Sequence, residues 1–239
     1  MLLFVDDATW KKHAYGLKTK TSKEVLDHFK EYKEKVELEM GRKIKIIRTD
    51  GGGEYEKWVK SYLKDCGIKH EVTAHYSPEQ NGVAERANRT ILERTKAILA
   101  DTEFPKKLWM EIASTVVYLK NRSPTSSLDG KTPYEAWHGK KPDLSHLRII
   151  GCAAYVHVSK NTRRKLDFNT RECRLVGYGG TNQWRAWDEE KEDVVVSRDV
   201  IFDEQPIFTE SEVAEIEAVE SPTENKPKVY KEIVVQTPP

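Results

Sequence analysis

The sequence predicts an α/β domain followed by a small β-barrel. Strand-like and helix-like patterns alternate through the first half, the arrangement that layers helices on a sheet. From Leu147 onward helical spacing gives way to short strand patterns punctuated by turn residues, as in a small barrel.

The elements follow in order. Leu2 to Val5 reads as a strand, and "HAYGLKTKT" (13–21) as its partner after a turn. Val25, Leu26, Phe29, Tyr32, Val36 and Leu38 then recur at helical spacing, with Thr21 or Ser22 as N-cap and Gly41 as the stop. "KIKIIRT" (43–49) alternates like a strand and halts at Asp50 and three glycines. Trp58, Val59, Tyr62 and Leu63 mark a second helix ending near Gly67, and "IKHEVT" (68–73) a short strand. A long helix is expected from about Val83 to Ala100, and another from Pro105 to Leu119. Pro105 suits a first helical turn, where a missing N–H costs nothing. After Asn121 the composition turns to Ser, Pro, Gly and Lys, with a short helix at "PYEAWHG". The barrel strands are expected in "RIIGCAAYVHV", "RECRLVGYGG", "QWRAWD" and "EDVVVSRDVIF". Beyond Phe202 the Glu-, Pro- and Ser-rich tail has too few apolar groups to offset the entropy of ordering, so it reads as disordered.

Composition narrows the function classes. No apolar run approaches the roughly 18 residues of a membrane span, and residues 1–5 are too short for a signal peptide. Cys66, Cys152 and Cys173 are odd in number and lack C-x-x-C spacing, which fits a reducing compartment without a disulfide frame. The net charge of +1 conceals an asymmetry. Residues 203–239 hold nine acidic residues and three lysines; residues 1–202 hold 37 basic and 30 acidic ones. A body carrying +7 beside a tail carrying −6 suggests a polyanionic partner.

Two carboxylates stand out. Asp50 closes a strand beside glycines that let another group approach, and Glu85 is expected in the first turn of the long helix. Carboxylates converging from two rigid elements are what a divalent metal site for phosphoryl transfer requires. Taken singly, Asp50 also reads as a strand end and Glu85 as a partner of the helix dipole. Arg86, Arg89, Arg94 and Lys96 recur on the same helix. Arg94 and Lys96 read as a solvated face, Arg86 and Arg89 as phosphate contacts. Trp109, Trp137, Trp184 and Trp187 read as packing residues, and "KNTRRK" (160–165) as a basic loop.

The strings around these acids, "IRTDGGGEY" and "GIKHEVTAHYSPEQNGVAERANRTI", resemble the integrase core of Copia-type retrotransposon polyproteins. The likeness continues through "GKTPYEAWHGKKPDLSHLRIIGC", "LVGYGG" and "VVVSRDVIFDE", over about residues 2–205. It implies a ribonuclease H-like core over 1–122, a connecting segment over 123–146, an SH3-like β-barrel over 147–203, and an acidic disordered linker over 204–239. It makes Asp50 and Glu85 the second and third acids of an Asp-Asp-Glu site for Mg²⁺ or Mn²⁺. Tyr76, Pro78, Gln80 and Asn81 become a flexible loop that meets DNA, with Arg86 and Arg89 beside it. Copia-type chains usually carry one more residue between these acids, a difference the loop near "GGGEYEKW" can absorb. The resemblance also aligns Leu2–Val5 with the family's second strand, so the first, which bears the first acid, is missing from this sequence. Asp6 and Asp7 then read as turn residues. The family reaction is DNA strand transfer, in which a 3′ hydroxyl of element DNA attacks a target phosphodiester without a covalent protein intermediate. The implied partners are element ends, target DNA, further copies of the chain and the reverse transcriptase region of the same polyprotein, with no membrane. The implied location is the nucleus at integration and otherwise the cytoplasm, although no targeting signal is readable. The competing expectation is a catalytically dead DNA-binding remnant.

Overall fold

The structure, a computed structural model, describes residues 1–19, 21–49, 58–72, 78–158 and 168–204, with the backbone alone at 58, 59, 78–81 and 83. Strands β1 (Leu2–Val5) and β2 (Lys12–Tyr15) form an antiparallel hairpin. Asp6 serves its turn: one carboxylate oxygen accepts from the Thr9 amide at 2.8 Å and the Thr9 hydroxyl at 2.7 Å. Helix α1 (Ser22–Met40) is capped by Thr21, whose hydroxyl accepts from the Glu24 amide at 3.4 Å, and ends at Gly41 with φ 61°. Glu24 reaches back to accept from the amides of Lys18 and Thr19, at 2.7 and 2.8 Å. Val25, Phe29, Tyr32 and Val36 form the buried stripe. Leu38, expected on that stripe, is 86% exposed. Two residues past Val36 it has rotated by about 200° at 3.6 residues per turn, onto the water side.

Strand β3 (Ile46–Thr49), helix α2 (Trp58–Asp65) and strand β4 (Lys69–Val72) make a parallel crossover. One face of this pair packs inward through Ile47. On the other, Glu71 accepts from Arg48 at 3.3 Å and Lys69 at 2.9 Å. Among the described residues no ladder joins β1 to β3, so the hairpin and the parallel pair remain separate two-stranded sheets.

Helices α3 (Pro78–Asp101), α4 (Trp109–Arg122) and α5 (Pro133–His138) complete the first half. Pro105 does not open α4: it caps a 3-10 turn over Lys106–Leu108, closed by the Leu108 amide donating to the Pro105 carbonyl at 2.9 Å. Asn121 pins α4 to β2, accepting from the Lys12 amide at 2.9 Å and donating to its carbonyl at 2.8 Å. Residues 123–146 are no free tether, since Pro133 and Trp137 are buried and the Trp137 indole donates to Glu39 at 3.1 Å.

Strands β5 (Ala153–His157), β6 (Thr170–Tyr178), β7 (Trp184–Asp188), β8 (Asp193–Ser197) and β9 (Val200–Asp203) form an antiparallel sheet ordered β8-β7-β6-β5-β9. The run "EDVVVSRDVIF" yields two strands, broken where the Asp199 amide donates to the Ser197 hydroxyl at 3.1 Å. Since β8 and β9 are opposite edges joined by only Arg198 and Asp199, the sheet must curl on itself. Val176 and Trp187 of this sheet lie in one apolar cluster with Ile91, Ile112 and Val116 of the helices. Residues 1–204 accordingly form one compact unit. Glu204, the first residue of the expected linker, is anchored: it accepts from the Ile149 amide at 2.8 Å. The rest of the tail lies outside the described residues.

Candidate nucleic-acid interface and catalytic carboxylates

Strand β3 ends at Thr49, so Asp50 directly follows its C-terminal end but lies outside the described residues, as does Tyr76. At the end of β3 the Thr49 hydroxyl meets the His70 ring nitrogen Nε2 at 2.9 Å. Burial lowers the His70 pKa, with Lys60 adding to the effect, so this imidazole is neutral at pH 7.

Glu85 is placed differently from expectation. Helix α3 starts at Pro78 rather than near Val83, so Gln80 and Asn81 are helical residues, not loop residues, and Glu85 lies about two turns in. Proline is pre-organised for a first helical position, and Gly82 further on carries only a modest helical cost. Gly82 also has a packing role: a Cβ there would come within 2.8 Å of the Arg86 guanidinium, so glycine lets Arg86 fold back along the helix.

Helix α3 has a clear division of faces. Ile91 and Thr95 are buried, the Thr95 hydroxyl donating to the Ile91 carbonyl at 2.7 Å. Glu85, Arg89, Leu92 and Lys96 follow one another at helical spacing along the exposed side, with Arg86 and Arg94 also exposed. Among the described residues Glu85 is exposed and makes no ion pair. Hard, exposed carboxylate oxygens of this kind suit Mg²⁺ or Mn²⁺. Among the described residues no three His, Cys, Asp or Glu side chains gather as a metal site. Glu85 is the one expected ligand the structure describes.

A second group of cations was not legible in sequence. Lys12 on β2, Lys120 on α4 and Arg86 on α3 line one cavity of about 180 Å³. They are remote in the chain; the Asn121 bonds to β2 and the packing of Leu3 and Ala14 against the α3–α4 cluster bring them together. The tryptophans behave as packing residues: Trp137 and Trp187 are buried, and the Trp184 indole donates to the His146 carbonyl at 3.1 Å. The loop "KNTRRK" lies outside the described residues.

Comparison with known proteins adds sequence relatives to this geometry. The family described as the retroviral polymerase SH3-like domain matches residues 152–216. The retrovirus-related Pol polyprotein from transposon TNT 1-94 of Nicotiana tabacum is 42% identical over 214 residues, covering 89% of this chain and 16% of the relative. That from transposon RE2 of Arabidopsis thaliana is 34% identical over 180 residues, covering 75% of this chain and 12% of the relative. Among solved structures, the HTLV-2 integrase catalytic core domain in complex with magnesium is 21% identical with a TM-score of 0.44, covering 57% of this chain and 82% of that one. The chain thus spans about one sixth of the length of the first of these polyproteins and one eighth of the second.

Proposed function

The chain belongs to the retrovirus-related Pol polyproteins of transposons, and from that membership we propose that it is the integrase segment of a Copia-type element, acting on DNA. The fold is the α/β, ribonuclease H-like one with an SH3-like domain after it. The observation that carries the proposal is the 42% identity over 214 of 239 residues, since a match that long must run across both Asp50 and Glu85.

In this reading Asp50 and Glu85 hold Mg²⁺ or Mn²⁺, whose chemistry when bound is that of a Lewis acid for phosphoryl transfer. Arg86 and Arg89 neutralise backbone phosphates, and Tyr76, Gln80 and Asn81 lie against the processed DNA end. The reaction forms a bond between the element's 3′ oxygen and a target phosphorus and breaks the target's P–O3′ bond, leaving a 3′ hydroxyl. Assembly of several copies, attachment to the reverse transcriptase region and a nuclear site of action belong to the same proposal. A second reading, a DNA-binding remnant without catalysis, is favoured by one observation: among the described residues no ladder joins the hairpin to the strand that precedes Asp50.

Both readings require DNA binding, and the basic body supplies it without sequence preference. Fluorescence anisotropy with unrelated duplexes at rising salt tests this directly. Affinity should fall steeply and alike for all duplexes, because phosphate neutralisation releases counterions. Affinity that is flat from low to moderate salt would overturn it. Removing residues 205–239, which hold seven acidic residues and three lysines, should tighten binding.

A further inference from the structure

We propose that the cavity between the β1–β2 hairpin, α3 and α4 is a phosphate-binding pocket in which Lys12, Lys120 and Arg86 grip one phosphoryl group. The pocket stands on its own geometry; nucleic acid as the source of the phosphate rests on the integrase reading.

Among the described residues three cations line this cavity and no Asp or Glu does. At about 180 Å³ it holds roughly six waters at ~30 Å³ each, or a phosphoryl group with part of its hydration. Its walls are fixed. Lys12 is held by the two Asn121 bonds to its backbone, and its ammonium donates to the Trp10 carbonyl at 3.0 Å. Lys120 precedes Asn121 on α4, so the same bonds set its distance from Lys12. Arg86 is brought back along α3 by the space at Gly82. Thr90 adds a hydroxyl to the lining.

The electrostatics call for an anion. Burial lowers the pKa of Lys12, and the charge of Lys120 lowers it further. Burial likewise lowers that of Lys120, with Arg94 contributing. Among the described residues none of these cations has a carboxylate partner, although elsewhere Lys11, Lys33 and Arg171 are each paired. A single carboxylate offers one charge and two oxygens. A phosphoryl group offers up to two charges and three oxygens, which suits donors converging from three elements.

The experiment is calorimetric titration of the full chain with inorganic pyrophosphate. Saturable binding is expected, and in K12Q/K120Q it should weaken at least about tenfold, since charge-assisted hydrogen bonds are the strong ones. A charge-matched control, K23Q/K64Q, should bind like the unsubstituted chain. A87L keeps every charge and fills the cavity, so it should also block binding. Absence of saturable binding, or equal weakening in both double variants, would overturn the pocket. A second arm asks whether pyrophosphate displaces duplex DNA at matched ionic strength. Displacement supports a nucleic-acid backbone as the source of the phosphate. Pyrophosphate binding without displacement supports the pocket with a free polyphosphate as its ligand. Pyrophosphate binding by a chain that binds no DNA would leave the pocket standing and the integrase reading refuted.

Discussion

The Thr115 hydroxyl of α4 donates to the Val176 carbonyl of β6 at 2.7 Å, both groups being buried where helix and barrel meet. The neighbouring Gly177 has no room for a side chain, because a Cβ there would overlap that hydroxyl. With Val176 and Trp187 in the helices' own apolar cluster, core and barrel share one interior. Thr115→Val should therefore cost about 1–3 kcal/mol by leaving a buried carbonyl unpaired. Gly177→Ala should cost a similar amount by overpacking, ~1–3 kcal/mol. Urea unfolding monitored by tryptophan fluorescence and by circular dichroism should give one coincident transition in the unsubstituted chain. Separate transitions for helices and barrel would contradict the shared interior.

His13 makes stability depend on acid. Its ring lies 5.3 Å from the Tyr32 ring and 6.2 Å from that of Trp137, with Nε2 buried and without a hydrogen-bond partner among the described residues. Burial lowers its pKa from the ordinary 6.5 to about 4, with Lys11 and Lys35 adding to the effect. The folded value lies below the unfolded one, so the contribution is complete above about 6.5 and is lost as pH falls toward 4. Between pH 7 and 4 the unsubstituted chain should lose up to about 3 kcal/mol relative to His13→Phe. Parallel stability profiles for the two chains would count against a neutral buried His13.

Much of this fold is written locally. Thr21, Gly41 and the stripe Val25, Phe29, Tyr32, Val36 mark α1 by chemistry that acts within a turn or two. What escaped reading depends on groups far apart in sequence. The start of α3 at Pro78 is hidden by Asn81 and Gly82, both turn residues by habit. The split of "VVVSRDVIF" sends its two halves to opposite edges of the sheet, a topology that no local pattern states. Nothing in the sequence announces that α4 packs on β6, or that Lys12 meets Lys120. Of the expected site, Glu85, Arg86 and Arg89 are exposed on α3, whereas Asp50 and Tyr76 lie outside the described residues.

The cysteines should separate by reactivity. Cys66 is exposed, whereas Cys152 and Cys173 are buried, and burial pushes both thiols up to about 11. Thiolate is the reactive form, so brief iodoacetamide treatment at pH 7 should modify Cys66 alone. Cys152 and Cys173 should react only after unfolding. Mass spectrometry that finds either one modified in the native chain would contradict their burial.

The integrase assignment is tested most directly by strand transfer in Mg²⁺ or Mn²⁺. The assay compares the 239-residue chain with one extended upstream by a strand carrying the family's first Asp. Two closely spaced ions need more carboxylates than Asp50 and Glu85 supply, and among the described residues no ladder joins the hairpin to β3. The account predicts activity in the extended chain alone, lost in D50N and in E85Q. Activity in the shorter chain, abolished by D6N, would contradict it, because Asp6 would then serve the metal rather than the Thr9 turn.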